Sequence, residues 1–296
     1  MSDTVRELEV AFAAAGVTGY FHAIDLDNGN EFSLNADDFV VTASVFKLPV
    51  LLEVFRQHYD GEIDATAQYL VPVEGRSPGP NGLSLMKDPI TASLRDLAWQ
   101  MMGISDNAAT DFICDQVGLD KVAQTLQRLG ITHTTITGDC RALFATMLED
   151  LGYASFDELA GEAITWEAFH SMRGCDPART IHQSTPRDMT TLLGLIWDGK
   201  AASPEACQDV RAILGSQVWP HRLASGFPED DVRTSGKTGT LPTIRNEAGV
   251  VEYLNGGRYA IATFTRANTL NQKNPAADAV IGRAARIAVD AFRAIA

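Results

Sequence analysis

Strand-like sequence lies at both ends of this chain, with a long helical stretch between them. Near the start, the run GYFHAIDLDNGNEFSLN places two apolar segments on either side of residues 27–30, and Asn-Gly between such segments is typical of a β-hairpin. Strand-like runs return at Arg233–Thr240, Glu247–Leu254 and Tyr259–Arg266, with a tight turn at residues 255–257. These runs predict one sheet that is assembled from the two ends of the chain.

Helical periodicity dominates the middle of the chain. Apolar residues recur every three or four positions after Ser44, after Ser93 and after Thr185, each of which is suited to begin a helix. Amphipathic helices are also expected at residues 4–14 and from about 275 to 296.

Strands at both ends around a helical middle predict an α+β fold. The chain has 296 residues, and a length of ~150 residues per domain gives a prior of two domains. We expect a sheet domain built from residues 1–58 and 216–296, and an inserted helical domain over residues 59–215.

The charge balance disfavours two classes of partner. Thirty-eight acidic against 24 basic residues give a net charge of -14. Nucleic acids and anionic membranes attract positively charged surfaces, so neither is expected as a partner. No apolar run approaches the ~18 residues that a membrane-spanning helix needs. A small-molecule substrate is the expected partner, and the oligomeric state is left open.

Neither a metal nor a cofactor is expected. The four cysteines (Cys114, Cys140, Cys175 and Cys207) are widely spaced without a zinc-ligand pattern, and the six histidines form no HExxH. Free buried thiols suit a reducing compartment. The first residues, MSDTVRELEV, show neither the basic n-region nor the apolar h-region of a signal peptide. The expected location is the cytoplasm, unless the chain is the trimmed form of an exported protein.

Three short motifs follow one another along the chain: Ser44–Lys47 (S-V-F-K), Ser105–Asn107 (S-D-N) and Lys237–Thr240 (K-T-G-T). The first pattern alone is weak, because Ser84–Lys87 also reads S-x-x-K. Context separates the two: Ser44 opens an apolar helix, which places a lysine one turn along on the same face, whereas Ser84 lies in a Gly/Pro-rich segment. Taken singly, each motif also fits a helix cap or a strand-to-turn segment.

The chemistry of the three motifs is complementary. A serine hydroxyl is a poor nucleophile and needs an adjacent base, and Lys47 can serve if burial and a second cation, Lys237, lower its pKa. Ser105 could relay a proton to a leaving nitrogen. Asn107 offers an amide to an acyl side chain. Gly239 allows close approach, so that the N–H groups of Ser44 and Thr240 can form an oxyanion hole.

In these motifs the chain resembles the class A serine β-lactamases and related penicillin-recognising enzymes. The likeness extends over almost the whole length, and it implies a β-lactamase-like fold: an antiparallel sheet of about five strands, flanked by N- and C-terminal helices, with an all-helical insertion. It further implies that Ser44 is the acylated nucleophile, Lys47 its base, and Ser105 and Asn107 part of the site. By the same resemblance, Lys237, Thr238 and Thr240 bind the substrate carboxylate and the oxyanion, with Arg245 as the arginine that helps to hold that carboxylate.

One departure from the family concerns deacylation. Class A enzymes carry a glutamate in an E-x-x-L-N segment of their Ω-loop, and no such segment lies between Ser105 and Thr185. The stretch from 139 to 184 is long, and the expected glutamate position falls on Phe156. The candidate replacements are Glu158, Glu162 and Glu167, for each of which a solvated helix face is the alternative interpretation.

The sequence therefore predicts a serine hydrolase that forms an acyl-enzyme through Ser44, with slow deacylation. β-Lactam hydrolysis is the first expectation. The alternatives are a D-Ala-D-Ala-type peptidase or a biosynthetic esterase that uses the same residues, and a penicillin-binding sensor that does not turn over.

Overall fold

The computed structural model describes residues 3–159, 164–269 and 273–295 of the protein. Within these ranges, no helix is both long and apolar enough to cross a lipid bilayer. The strands are β1 (Val17–Asp25), β2 (Glu31–Leu34), β3 (Val40–Val41), β4 (Gln68–Val71), β5 (Ile90–Ser93), β6 (Thr135–Ile136), β7 (His182–Ser184), β8 (Val232–Leu241), β9 (Ile244–Tyr253) and β10 (Arg258–Ala267). The helices are α1 (Asp3–Ala14), α2 (Lys47–Tyr59), α3 (Leu94–Gly103), α4 (Asn107–Val117), α5 (Leu119–Arg128), α6 (Cys140–Leu151), α7 (Phe156–Leu159), α8 (Trp166–Ser171), α9 (Pro186–Trp197), α10 (Pro204–Leu214) and α11 (Pro275–Ile295).

The predicted sheet forms from the two ends of the chain. Five strands lie in the order β2-β1-β10-β9-β8, and every neighbouring pair is antiparallel. The central pairing joins β1 to β10, with Val17 opposite Ala267 and Asp25 opposite Tyr259. The α+β fold, the five strands and the flanking terminal helices are thus confirmed.

Two apolar cores lie on opposite faces of this sheet. Side chains alternate along β10: Ala260, Ala262 and Phe264 join the core shared with the helical segment, while Tyr259 and Ile261 join the core under α1 and α11. The first core includes α2, α9 and α10. Because α9 comes from within residues 59–215 and packs on the sheet, the insertion and the sheet share a core.

Local signals begin the helices where the sequence predicts. Ser93 caps α3 by accepting a hydrogen bond from the N–H of Asp96, and Thr185 caps α9 by accepting one from Asp188. Proline occupies the first turn of α9, where its missing N–H costs nothing.

Four short strands, β4 to β7, lie within the helical insertion, and a fifth, β3, precedes it at Val40–Val41. Two small sheets form, β4-β5 and β3-β7-β6, and both are antiparallel. The sequence analysis did not predict them, because two to four residues are too few to show an alternating pattern. Strand β3, which comes just before the turn that carries Ser44, pairs with β7, which comes just before α9.

Candidate active site

Ser44 lies where β3 runs into α2. It belongs to a 3₁₀ turn, Ala43–Phe46, which continues directly into the helix that begins at Lys47. Ala43 has a φ of 46°, a left-handed conformation that is costly for a residue with a side chain. The strained residue therefore directly precedes the serine, whose side chain is half-buried and lines a cleft.

The Lys47 ammonium group points into the loop before α4. Its Nζ donates to the carbonyl of Ser105 at 2.9 Å and to Oδ1 of Asn107 at 2.9 Å, and lies 3.4 Å from Oγ of Ser105. The lysine is fully buried. The first two predicted motifs thus meet through direct contacts.

Asp106, the middle residue of the S-D-N motif, performs a structural task. Its side chain caps α4 by accepting from the N–H of Ala109 at 3.1 Å, and it also accepts from the N–H of Leu83 at 2.6 Å. Ser105 adopts a φ of 63°. The cap at the start of α4 and the left-handed backbone at Ser105 orient Ser105 and Asn107 toward Lys47. The Asp106 carboxylate points the other way, to the loop at Leu83.

The third motif reaches the same point from the edge strand β8. Nζ of Lys237 donates to Oγ of Ser105 at 3.0 Å and to the carbonyl of Thr238 at 2.8 Å. The hydroxyl of Ser105 therefore lies between two lysine ammonium groups. This is the arrangement a proton relay needs, because one hydroxyl can accept from one amine and donate to another group.

Burial controls the charge of both lysines. Desolvation lowers the pKa of Lys47 below its usual value, although the nearby carboxylates of Asp106 and Asp111 act in the opposite direction. Desolvation lowers the pKa of Lys237 further, and the charges of Lys47 and Arg222 add to that effect. Each lysine is thereby brought closer to the neutral form that can act as a base.

Gly239 allows β8 to lie directly against the turn that carries Ser44. A Cβ atom at this position would be 2.5 Å from the carbonyl oxygen of Thr42 and 3.2 Å from the backbone nitrogen of Ser44. Any side chain would therefore push the strand away from the serine. This is the close approach that the sequence predicts for this glycine.

A cleft of about 580 Å³ opens over these motifs. Its walls include the five predicted residues Ser44, Ser105, Asn107, Thr238 and Thr240. The other lining residues, which the sequence analysis did not select, are Pro78, Gly79, Pro80, Asn81, Phe144, Phe156, Trp219, His221 and Arg222. Lys47 and Lys237 are buried beside it.

Arg245 is the strand partner of Thr240, but it is not among the residues that line the cleft. Its side chain, on β9, donates to the carbonyls of Leu241 and Ile244 instead of lining the cleft. Arg222 lines the cleft, and its Nη2 donates to Oγ1 of Thr240 at 2.8 Å. Arg222 is difficult to predict from the sequence because it stands in an irregular loop, where the W-P-H-R run at residues 219–222 is the distinctive local feature.

Arg222 is itself held firmly. Its Nη1 donates to the carbonyls of Gly239 and Asn246, each at 2.9 Å, and its Nε donates to the carboxylate of Asp278 at 2.7 Å. The guanidinium group is therefore an oriented cation at the β8 wall, suited to an anionic group of a ligand.

The candidate carboxylates for deacylation lie away from the cleft or outside the described residues. Glu158 is exposed and accepts a hydrogen bond from the N–H of Ala154, and Glu167 is exposed on α8. Glu162 lies outside the described residues. Phe156, where the sequence placed the expected glutamate position, lines the cleft and packs edge-on against Phe144 with ring centres 5.4 Å apart.

The antiparallel sheet, the helical insertion and a cleft that joins the three motifs are the fold and the motif arrangement of the β-lactamase class of proteins. Comparison with known proteins agrees with this assignment. The sequence profile of the Beta-lactamase enzyme family matches residues 2–292, and the chain belongs to that family.

The similar proteins include a regulatory protein as well as enzymes. The chain is 31% identical to the β-lactamase regulatory protein BlaB of Streptomyces cacaoi, over 98% of this chain and 97% of that protein. A β-lactamase structure from Sphaerobacter thermophilus is 26% identical, with 98% of each chain covered and a TM-score of 0.78. A mutant of PBP-A, solved as an acyl-enzyme complex with penicillin G, shares the fold at 20% identity, with 99% of this chain and 97% of that chain covered and a TM-score of 0.79.

Proposed function

We propose that this protein is a serine hydrolase that is acylated at Ser44 by β-lactams or closely related amides and esters, and that it releases the product slowly. The observation that carries the proposal is the position of the Ser105 hydroxyl. It lies 3.0 Å from Nζ of Lys237 and 3.4 Å from Nζ of Lys47, beside the cleft that Ser44 lines.

In the acylation step, neutral Lys47 removes the proton from Oγ of Ser44, and Oγ attacks the carbonyl carbon of the lactam. The N–H groups of Ser44 and Thr240 would stabilise the oxyanion, a contribution of about 2.7–4 kcal/mol for each donor. The C–N bond then breaks, and Ser105 passes a proton to the departing nitrogen. The low pKa of the buried lysines supports this assignment, since an amine that is protonated cannot act as a base.

The cation that binds the ligand carboxylate is Arg222 in this proposal, with Thr238 and Thr240 as hydroxyl partners. Arg222 lines the cleft and already contacts Oγ1 of Thr240. Arg245, the residue that the family resemblance suggested, would act indirectly through the end of β8, where it donates to the carbonyl of Leu241.

Slow release follows from the chemistry of the cleft walls. No Asp or Glu lines the cleft within the described ranges 3–159, 164–269 and 273–295. Attack of water on an acyl-serine ester benefits from a general base by about 10²–10⁴-fold. Two phenylalanines, Phe144 and Phe156, occupy one wall instead.

A second candidate function is that of a sensor that reports β-lactams through a long-lived acyl-enzyme. The same absence of a lining carboxylate favours it, and so does the 31% identity to a β-lactamase regulatory protein. Burst kinetics distinguish the two functions. A sensor releases one equivalent of product and then stops, whereas a hydrolase continues at a measurable steady rate.

Intact-mass spectrometry after incubation with benzylpenicillin tests the acylation itself. We expect the mass to increase by one ligand, with the adduct on a peptide that contains Ser44 and no adduct in Ser44→Ala. The matched control is Ser84→Ala, which removes the serine of the second S-x-x-K sequence and should be acylated like the parent. An adduct on Ser84, or none on the parent, would refute the proposed function.

A further inference from the structure

The segment after residue 138 contacts the lysine centre through the side chain of Cys140. Its Sγ lies 3.6 Å from Oδ1 of Asn107, the same oxygen that accepts from Nζ of Lys47 at 2.9 Å. Among the described residues of 139–184, Cys140 is the one whose side chain hydrogen-bonds to Asn107. The thiol and the proposed base therefore share one oxygen as a neighbour.

The position of Cys140 is fixed by backbone contacts. It is the first residue of α6, which Asp139 caps by accepting from the N–H of Ala142 at 2.9 Å. The N–H of Cys140 itself donates to Oδ1 of the buried Asp111 at 2.8 Å. A residue placed here keeps its Cβ direction toward Asn107 and Lys47, because α4 and α6 both hold it.

We propose that Cys140 sets the lifetime of the acyl-enzyme, because it puts a thiol rather than a carboxylate beside Asn107, which contacts Lys47 and lines the cleft together with Ser44. This inference rests on the acylation of Ser44 proposed above. A thiol is a weak hydrogen-bond acceptor, whereas an ionised carboxylate accepts hydrogen bonds at two oxygens. Burial also raises the pKa of the Cys140 thiol to about 12, so that it stays protonated at neutral pH.

The step that the thiol leaves unassisted is hydrolysis of the ester. A base takes one proton from water while the water oxygen bonds to the ester carbonyl carbon. The bond between that carbon and Oγ of Ser44 then breaks, and Oγ takes the proton back from the base. The products are free Ser44 and the carboxylic acid of the ring-opened ligand, and no oxidant or further reactant is required.

The experiment compares Cys140→Glu with its neutral, equally large control Cys140→Gln. Each variant is acylated with benzylpenicillin, excess ligand is removed, and the decay of the Ser44 adduct is followed by intact mass. We expect Cys140→Glu to shorten the adduct lifetime by at least about 10-fold relative to Cys140→Gln and to the parent. A well-placed general base provides about 10²-fold or more, and an introduced carboxylate will have less than ideal geometry. The acylation rate should stay near that of the parent in Cys140→Gln, whereas the added carboxylate of Cys140→Glu raises the pKa of Lys47 and slows acylation, so decay is measured only on the adduct already formed.

A second pair addresses position. Phe156→Glu places a carboxylate on the cleft wall that the sequence marked for the family glutamate, with Phe156→Gln as its control. We expect no comparable acceleration there. The inference is wrong if the adduct decays faster in Phe156→Glu but not in Cys140→Glu. It is also wrong if Cys140→Glu and Cys140→Gln accelerate decay equally, because that result would indicate better access of water rather than a general base.

A chemical rescue keeps the test independent of how well a buried acid folds. Cys140→Gly leaves space beside Asn107, and added formate supplies a small carboxylate. We expect formate to accelerate adduct decay in this variant, in proportion to its concentration, and to leave the parent unchanged. If the Glu variant does not fold and formate has no effect, the inference is wrong. Failure of the parent to form any Ser44 adduct would instead refute the proposed function, before Cys140 is tested.

Discussion

Two buried lysines share the hydroxyl of Ser105, and this pairing adds to the effect of burial on the charge state of the site. Electrostatic repulsion is mutual, so each cation disfavours protonation of the other. The effect is visible at Lys237, whose pKa is lowered first by burial and then by the charge of Lys47. A change at either lysine should therefore alter the titration of the other.

Replacing Lys237 by alanine should move the pH dependence of acylation in a defined direction. The charge of Lys47 lowers the pKa of Lys237, and because repulsion between two cations is mutual, loss of Lys237 should raise the pKa of Lys47. Since neutral Lys47 is the base, the ascending limb of the acylation rate should shift to higher pH, and ligand affinity should fall. Stopped-flow measurements of acylation from pH 5 to 10 check this, with Lys47→Ala expected to lose rate at saturating ligand.

The matched control for this prediction is Lys200→Ala, which removes an exposed lysine paired with Asp198. It should reproduce the pH profile of the parent. If the ascending limb of the pH profile for acylation does not shift in Lys237→Ala, the two lysines are not coupled in the way that their shared hydroxyl suggests.

At this scale, the sequence could predict residues that belong to short motifs but not residues that converge through loops. Ser44, Lys47, Ser105 and Lys237 meet as expected, because each sits within a few residues of a helix start or on a strand whose register is fixed. Arg222 could not be anticipated, since nothing local relates residues 219–222 to Thr240. Its contacts depend on how the loop before β8 folds back over the strand.

Among the elements, the edge strand β8 and the 3₁₀ turn at Ala43–Phe46 determine whether the site forms. The strand pairs with β9 on one side, and its other side lies against the turn. Gly239 is the contact point. The spacing between strand and turn therefore depends on the missing side chain of one residue.

Gly239→Ala should disable acylation while leaving most of the fold intact. The added methyl group would lie 2.5 Å from the carbonyl oxygen of Thr42, so the strand must shift and the oxyanion donors separate. Loss of one such donor typically lowers the rate by about 10²–10³-fold. Acylation kinetics together with thermal unfolding measure both consequences.

Gly215→Ala serves as the control for that substitution. At this helix end φ is -70°, and the nearest atom to the added Cβ is Oγ of Ser235 at 3.4 Å. It should retain the acylation rate of the parent. Normal acylation in Gly239→Ala would mean that β8 does not need to approach Ser44 so closely.

The sequence predicted the long elements better than the short ones. β8, β9 and β10 each deviate from the expected ends by at most a few residues, because ten-residue strands show clear patterning. The strands β3 to β7 were missed, and α7 is a single turn whose formation depends on Phe156 packing against Phe144. Tertiary contacts, rather than local sequence, specify such elements.

On the scale of the whole molecule, one of the two cores contributes no residue to the lining of the cleft. The core under α1 and α11 lies on the sheet face opposite the helical insertion. Phe12 belongs to it, and its ring lies over Gly19, where a Cβ would be only 2.3 Å away. This core should stabilise the sheet without touching the cleft.

Phe12→Ala should therefore separate stability from activity. Truncation of a buried phenylalanine costs about 3–5 kcal/mol, so the midpoint of urea unfolding should fall strongly. The acylation rate, measured well below that midpoint, should match the parent. Val10→Ala, at an exposed position of the same helix (59% exposed), should change the free energy of unfolding by less than about 0.5 kcal/mol. A large loss of acylation in folded Phe12→Ala would contradict this separation.

The pairing of β1 with β10 has a consequence for biosynthesis. Val17 and Ala267 are partners in the sheet but leave the ribosome far apart in time, by about 12–50 s at ~5–20 residues per second. During that interval β1 has no strand on its β10 side, although α1, with Phe12 over Gly19, can already cover one of its faces. The nascent chain must therefore be kept from aggregating until β10 emerges, and the site cannot be complete before β8, which carries Lys237, has been synthesised.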